Sequence, residues 1–426
     1  MHKKIERKTA SFHLNCNGSI FKEKMLNWCS RYSIFSFLDS CNYVDRYSRY
    51  DCLAAAGEDY IFSGDLDAFS DFYEKNNDWL FGHFSYDLQN ENEPTINEDG
   101  FKKLCFFRPK TVLMLQGEML NIASTDKAPE TIFKEIQQEE STTPKIVEHP
   151  GLDIQADTEK HEYISIIKKL KAHIQRGDCY EVNFCLQFFA EDCLIDPQLI
   201  FKKLKAISPN PFACLYRIDN NYLIGASPER FIQKQGMNII TQPIKGTAQR
   251  DLNDLVHDAI EKRMLRESLK ECSEHVMAVD LARNDFSHFC NEGSVSVPAL
   301  YSIYGFPQVY QMISTIEGKV PDQINLASII AAAFPMASMT GAPKKKVMEL
   351  IGKFEKSTRG IFSGAVGYIT PQKNFDFNVV IRSMIYHASD KRLRFPVGGG
   401  ITWRSDPEME YEECLLKASA MMKILS

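Results

Sequence analysis

The sequence lacks the features that mark several common classes of protein. No Cys-x-x-Cys pair occurs among its 12 cysteines, so no zinc or redox motif is present and we expect free thiols in a reduced compartment. Neither a Gly-x-Gly-x-x-Gly loop nor a Walker loop is found, which leaves nucleotide binding without support. The most apolar stretch, Leu326 to Met339, is too short to span a bilayer and contains Pro335.

The charge balance excludes further classes. The 50 Lys and Arg residues against 56 Asp and Glu give a net charge of −6, which argues against general nucleic-acid binding. The first fifteen residues are charged and no apolar run follows them, unlike a secretory signal. We therefore expect a cytoplasmic protein with no nucleic-acid or membrane partner. Its 426 residues suffice to bury a large core without disulfides.

Strand-like runs and long helical patterns are both present, but they do not alternate one for one. This favours an α+β fold of mostly antiparallel β-sheets with surrounding helices. HDAIEKRMLRESLKECSEHVM is the longest helical pattern. A polar stretch at 124–160 with three prolines predicts a connecting segment between an amino-terminal region, 1–123, and a larger carboxy-terminal region, 161–426.

Two pairs of carboxylates have the spacing of one helix face. Glu271 and Glu274 are three residues apart, as are Glu410 and Glu413. Asp406 and Pro407 suit the start of the helix that carries the second pair. Four carboxylates brought together would suit Mg²⁺, although each pair alone is also typical of a solvated surface.

Two further residues follow predicted strands. Glu229 comes just after the strand YLIGAS, which ends at Ser227, and Lys245 precedes Gly246, where we expect a turn. In a dry site a Lys can become a nucleophile and a Glu can act as a general acid, but both are commonly solvated charges.

Three other segments could bind anions. Thr340 or Gly341 could cap a helix that Pro343 opens, and a helix start attracts anions. Arg382 lies in the predicted strand FNVVIRSM and could grip a carboxylate. The glycines at 398–400 would allow a backbone to approach a ligand, or would form a bulge. From these residues alone, the chain holds an acidic metal site and anion-binding groups.

Taken together, the motifs resemble the chorismate-utilising enzymes, which include anthranilate synthase, aminodeoxychorismate synthase and isochorismate synthase. They occur in the order of that family, and among its branches PIKGT is most similar to aminodeoxychorismate synthase large subunits. The matching strings are SPERF at 227–231, PIKGT at 243–247, EHVMAVDLARND at 274–285, TGAPK at 340–344, RGIFSGAVGY at 359–368, FNVVIR at 377–382 and GGGI with SDPEMEYEECLLKA at 398–418.

The resemblance implies a chorismate-binding catalytic region at 161–426 and a specific reaction. Lys245 would attack C2 of chorismate while Glu229 protonates the departing C4 hydroxyl, and ammonia would then add at C4 and expel Lys245. The product is 4-amino-4-deoxychorismate, on the route to 4-aminobenzoate and folate. Mg²⁺ held by the two carboxylate pairs would bind a carboxylate of chorismate. The implied substrate-binding residues are Ser338, Thr340, Arg382, Gly398, Gly400 and Lys417.

Several positions depart from the family pattern. Gln311 replaces a frequent His, Ser338 a frequent Thr, and Phe362 a frequent Tyr. Glu181 stands where amino-transferring members usually have Gln and isochorismate-type members have Lys, so it counts against isochorismate chemistry.

The resemblance also implies a separate glutamine amidotransferase subunit as the source of ammonia, because the chain has no Gly-x-Cys-x-Gly nucleophile elbow. Two alternatives stay open. The chain could be an anthranilate synthase component I, releasing anthranilate and pyruvate, or a catalytically silent chorismate-binding paralogue. Whether tryptophan binds the amino-terminal region is also open.

Overall fold

Antiparallel β-sheet forms the frame of the protein. The structure, a computed structural model, describes residues 6–15, 18–44, 46–89, 97–140, 151–306 and 309–425. The strands are β1 (Lys8–His13), β2 (Ile34–Asp39), β3 (Cys52–Ser63), β4 (Leu80–Phe84), β5 (Leu104–Gln116), β6 (Met119–Ser124), β7 (Gln155–Ala156), β8 (Glu181–Ala190), β9 (Phe212–Ile218), β10 (Asn221–Ser227), β11 (Arg230–Gln235), β12 (Asn238–Gln242), β13 (Ile244–Gln249), β14 (Ser296–Gly305), β15 (Val309–Lys319), β16 (Gly341–Ala342), β17 (Ala365–Ile369), β18 (Phe375–Val379), β19 (Ser383–His387) and β20 (Arg392–Ile401).

Helices surround these strands. They are α1 (Gly18–Cys29), α2 (Leu66–Lys75), α3 (Pro129–Gln138), α4 (Lys160–Gln175), α5 (Pro197–Ile207), α6 (Leu255–Glu267), α7 (Leu269–Ser287), α8 (Leu326–Ala333), α9 (Lys344–Phe354) and α10 (Pro407–Leu425). The predicted α+β class with antiparallel sheets is confirmed.

The sheet divides into two branches at β5. One branch runs through β3, β2, β9, β10, β19 and β20 to β8, and the other runs through β4, β17, β18, β11 and β12 to β15. Strands of the amino-terminal region pair directly with strands from later in the chain, since β2 lies beside β9 and β4 lies beside β17. The two branches share one core cluster of aromatic and aliphatic side chains, including Phe106 and Phe377.

The second core cluster lies between helices and the other face of the first branch. In α4 the buried residues are Tyr163, Ile166, Ile167, Leu170 and Ile174, as the helical spacing of the sequence predicts. They pack with Phe184 of β8 and Cys414 of α10. This packing fixes the start of β8 and the first turns of α10, which both contribute to the site described below.

The long helical pattern breaks at Ser268, where the sequence predicts one continuous helix. Residue Ser268 ends α6 and begins α7, and its hydroxyl accepts a hydrogen bond from the Glu271 amide at 3.3 Å. A serine at this position favours the start of a helix because its side chain satisfies a free amide. The break lets α7 take its own direction, with Glu271 in its first turn.

Two predictions concern features that the sequence lacks, namely a membrane-spanning helix and paired cysteines. Within the described part of the chain, no helix combines the length and the apolar character needed to cross a membrane. The described residues contain eleven cysteines, all of them free, which confirms the expected thiols for that part of the chain; Cys16 lies outside it.

Candidate active site

Lys245 lies in a β-bulge. The register between β13 and β15 shifts between Ile244 and Thr247, and Gly246 adopts a φ of 84°. A bulge of this kind bends the strand and redirects a side chain. The predicted turn at Gly246 is therefore wrong, because the strand continues to Gln249. A side chain at 246 would also meet the Glu271 carboxylate, at 3.0 Å from its Cβ.

The redirected Lys245 side chain forms an ion pair with Glu181, the first residue of β8. Both side chains are buried, with 12% of Lys245 and 5% of Glu181 exposed. Burial lowers the pKa of Lys245, but the charge and hydrogen bond of Glu181 outweigh burial, so the pKa lies above its ordinary value. Lys245 therefore rests as an ammonium.

Glu229 lies where β10 ends, as predicted from the strand that stops at Ser227. Only 4% of the residue is exposed. Burial raises the pKa of its carboxyl to about 7, against the opposing effects of the Ser338 hydroxyl and the Lys245 charge. A carboxyl of this kind is partly protonated near neutral pH, so it can donate a proton to a leaving group.

The four predicted metal-binding carboxylates lie on two helices. Glu271 and Glu274 are in α7, and Glu410 and Glu413 are in α10. The charges of all four raise the pKa of one lysine, Lys270. Burial, with the charge of neighbouring carboxylates, raises the pKa of Glu271, Glu410 and Glu274, the last to about 7.

The fourth carboxylate differs from the other three. Burial by itself would raise the pKa of Glu413. The Lys417 ammonium, 2.6 Å from the carboxylate, has the larger and opposite effect, so the pKa lies below its usual value. Over the described ranges, no three His, Cys, Asp or Glu side chains are grouped as ligands of one metal ion. The donor chemistry nevertheless fits Mg²⁺, because four carboxylates supply only hard oxygen atoms and a surplus of negative charge.

The glycines at 398–400 form part of a regular strand. They pair with Cys185, Phe184 and Asn183 of β8 without a bulge. The Gly398 carbonyl accepts a hydrogen bond from Lys417 at 2.8 Å, and a Cβ at Gly399 would lie 3.1 Å from Glu410. A Cβ at Gly400 would lie 2.5 Å from the Glu181 carboxylate and 2.9 Å from Lys245 Nζ. These glycines therefore let the charged side chains approach the strand.

Arg382 does not lie in a strand, contrary to the prediction. Strand β18 ends at Val379 and β19 begins at Ser383, and Arg382 between them has a φ of 51°. Burial lowers the pKa of its guanidinium, while the Glu413 charge opposes the change. Among the described residues, none accepts a hydrogen bond from this guanidinium, which leaves it available to a ligand anion.

The predicted cap of α9 is also wrong. Pro343 occupies the capping position, and the Thr340 hydroxyl donates to the Met336 carbonyl at 3.1 Å instead. Gly341 packs against the Glu181 carbonyl, where a Cβ would lie 2.1 Å from the oxygen. Ser338 is buried. Its hydroxyl lowers the pKa of the Glu229 carboxyl, and it has no other partner within the described residues.

A sequence profile for chorismate binding enzymes matches residues 52–423 of the chain. The chain belongs to this family. Curated relatives include aminodeoxychorismate synthase component 1 of Klebsiella aerogenes, 36% identical over 267 residues, which are 63% of this chain and 58% of that protein. Anthranilate synthase component 1 of Buchnera aphidicola is 33% identical over 370 residues, 81% of this chain and 70% of that protein. The chain thus matches less than two thirds of the length of the Klebsiella relative.

Solved structures of other chorismate enzymes share the fold. The menaquinone-specific isochorismate synthase of Escherichia coli has a TM-score of 0.78 and 16% identity, covering 100% of this chain and 97% of that chain. Anthranilate synthase component I of Streptococcus pneumoniae has a TM-score of 0.71 and 22% identity, covering 99% and 94%. The chain is therefore built like chorismate-utilising enzymes of more than one activity.

His275, for which the sequence predicted no role, contacts the backbone of Lys245. Its Nε2 lies 2.6 Å from the Ser314 hydroxyl and its Nδ1 lies 3.3 Å from the Lys245 carbonyl. Burial lowers the pKa of His275 to about 4, so the imidazole is neutral. A signal was available, because His275 shares the apolar face of α7 with Ala278, Val279 and Ala282.

A second residue without a predicted role, Arg359, joins the segment around Met339 to β8. Its guanidinium forms two hydrogen bonds with Glu355, at 2.9 and 2.6 Å. It also donates to the Met339 carbonyl at 2.7 Å and to the Asn183 carbonyl at 2.8 Å. Arg359 therefore fixes the segment before Thr340 against β8. Arg359 lies in the string RGIFSGAVGY, and no residue spacing in the sequence predicts which groups it bonds to.

Proposed function

We propose that this chain aminates chorismate to 4-amino-4-deoxychorismate, through a covalent bond to Lys245 and with ammonia supplied by a glutamine amidotransferase subunit. One observation carries the proposal: Lys245 and the buried, partly protonated carboxyl of Glu229 lie close enough that the charge of each shifts the pKa of the other. A nucleophile and an acid on one substrate allow one group to add while another departs.

The steps use residues of this chain. The Lys245 amine bonds to C2, the ring double bond shifts, and the C4 hydroxyl leaves as water with the proton of Glu229. Ammonia then bonds to C4, the double bond shifts back, and Lys245 leaves C2. Glu229 regains a proton from the new ammonium group at C4. The sum is chorismate plus ammonia giving the amino product plus water.

Substrate binding would use the other groups of the site. Arg382 would hold a carboxylate of chorismate, and the backbone around Gly398 and Gly400, with Ser338 and Thr340, would form the wall of the pocket. Lys417, bonded to Glu413 and Gly398, would keep α10 at this wall. Mg²⁺ at Glu271, Glu274, Glu410 and Glu413 would supply Lewis-acid attraction for a substrate carboxylate.

Formation of anthranilate is the second candidate. The Buchnera anthranilate synthase component matches a larger share of the chain than the Klebsiella aminodeoxychorismate synthase component does. The two activities share the substrate and differ in the product, because anthranilate formation also releases pyruvate.

The test is turnover of the purified chain with chorismate, Mg²⁺ and high ammonium, with products identified by mass. We expect aminodeoxychorismate from the wild type and at least a roughly thousandfold lower rate from Lys245→Ala. Lys234→Ala is the matched control, since Lys234 is buried in β11 and its Nζ donates to the Lys373 carbonyl at 3.3 Å. Anthranilate with pyruvate would overturn the proposal, and bound but unchanged chorismate would indicate a silent paralogue.

A further inference from the structure

We infer that Glu181 is the base that removes a proton from Lys245 before the attack and returns it after release. The inference rests on the proposed function, because it names the proton acceptor for that nucleophile. An ammonium has no free electron pair, so Lys245 must lose a proton before it bonds to carbon. The acceptor has to contact Nζ.

Glu181 has that contact. Within the described residues, it is the only carboxylate that forms a hydrogen bond or ion pair with Lys245. Other charged groups face the lysine from the elements around it, and none of them is bonded to Nζ. They are Glu229 after β10, Glu271 and Glu274 on α7, and Glu413 on α10. The neutral His275 contacts Lys245 through the backbone carbonyl and not through Nζ.

The backbone on both sides of Glu181 is held by hydrogen bonds, which fixes the position from which its side chain reaches Lys245. Gly341 and Ala342 of β16 pair with Val182 and Glu181, and the Tyr180 amide donates to the Ala342 carbonyl at 2.7 Å. On the other side β20 pairs with β8 up to Val182. The missing side chain at Gly400 provides the space in which the carboxylate and Nζ meet.

The proton balance closes over the cycle. The Lys245 ammonium gives a proton to the Glu181 carboxylate, and the resulting amine bonds to C2. When ammonia has bonded to C4, the C2–N bond breaks and its electron pair returns to Lys245. The amine then takes the proton back from Glu181, and the ion pair is restored. Neither proton transfer needs exchange with bulk water.

Two measurements test this role. The first uses no substrate: the rate at which cyanate modifies Lys245 is measured against pH, with the modified peptide located by mass. Loss of Glu181 removes the main group that raises the pKa of Lys245. We therefore expect the midpoint in Glu181→Gln to lie at least about one pH unit below that of the wild type. Equal midpoints would overturn the inference.

The second measurement is turnover against pH at a constant concentration of free ammonia. At pH 7 we expect the kcat of Glu181→Gln to lie about 10²-fold or more below that of the wild type, and we expect this ratio to shrink as pH rises and bulk water takes the proton. Glu181→Asp, which keeps a carboxylate, should lose rate without this added dependence on pH. A loss in Glu181→Gln that is equal at every pH would indicate a structural role and contradict the inference.

The outcomes separate the two proposals. If the modification midpoint shifts but the wild type forms no aminodeoxychorismate, the ion pair exists and the proposed function fails. If the wild type forms the product and Glu181→Gln matches its rate at pH 7, the function stands and Glu181 is not the base.

Discussion

The two charged clusters of the site differ in how their charges are balanced. Lys245 and Glu181 lie on strands, oppose each other in sign and are almost fully buried. The four carboxylates lie on helices and share one sign; Glu410 is buried, whereas 46% of the Glu413 side chain is accessible. The fold thus completes the first cluster by itself, whereas the second has a surplus of negative charge that a cation would balance.

The largest expected effect comes from Lys245→Arg. Arginine keeps the positive charge beside Glu181 but remains protonated and cannot attack carbon. We expect a loss of activity of roughly a thousandfold or more, measured as product formation. Lys245→Ala should show the same loss and in addition a fall in the free energy of unfolding of about 3 kcal/mol, because it leaves Glu181 buried without a partner. Equal stability of the two variants would show that the ion pair is not part of the folded state.

Glu229→Gln should reduce kcat by about 10²- to 10⁴-fold, since the amide cannot donate the proton. The wild type should lose activity as pH rises through about 7, the pKa of Glu229, when rates are compared at equal free ammonia. Glu229→Gln should lower activity but raise the free energy of unfolding at a pH above the pKa of Glu229. Between its ordinary pKa and about 7 the carboxyl ionises only in the unfolded chain, so wild-type stability falls as pH rises through this window.

Thermal unfolding checks that sign. Glu229→Gln should unfold at a higher temperature than the wild type at pH 8 and show little gain at pH 5. If the variant exceeds the unfolding temperature of the wild type by more at pH 5 than at pH 8, the raised pKa of Glu229 is contradicted.

The second cluster should depend on added metal. Mg²⁺ should raise the unfolding temperature of the wild type, because a ligand of the folded state stabilises it by mass action. The double variant Glu274→Gln, Glu410→Gln should lose this response and chorismate turnover. A magnesium response that survives in the double variant would place the ion elsewhere.

The smallest effects concern two glycines. Gly400→Ala should reduce activity by roughly tenfold or more, because its Cβ would lie 2.5 Å from Glu181 and would push the carboxylate off Lys245. Gly352→Ala is the matched control in α9, where a Cβ meets nothing within 4 Å. It should leave activity unchanged and raise the free energy of unfolding by about 1 kcal/mol, the difference in helix propensity. Equal activity in both variants would show that Gly400 is not needed for the contact.

Local patterns predicted the parts of the site that depend on neighbours in sequence. The strand that ends at Ser227 placed Glu229, and Asp406 caps α10 by accepting from the amides of Glu408 and Met409 at 3.0 and 3.1 Å. The spacing of Glu271 and Glu274 likewise put both on one helix.

Contacts across the sheet could not be predicted in this way. Glu181 and Lys245 are 64 residues apart and lie on strands that do not pair with each other. Arg382 was placed in a strand because its apolar neighbours alternate, yet the chain leaves the sheet after Val379. These features depend on bulges and strand order, which the sequence pattern does not encode.

The most direct test of the account is a search for the covalent intermediate. The chain is mixed with chorismate and Mg²⁺ in the absence of ammonia, quenched in acid, and its peptides are weighed. We expect the peptide with Lys245 to gain the mass of chorismate less water, and we expect Glu229→Gln to reduce this gain. No adduct on Lys245 at any time of quenching, from a preparation that forms aminodeoxychorismate once ammonium is added, would contradict the account.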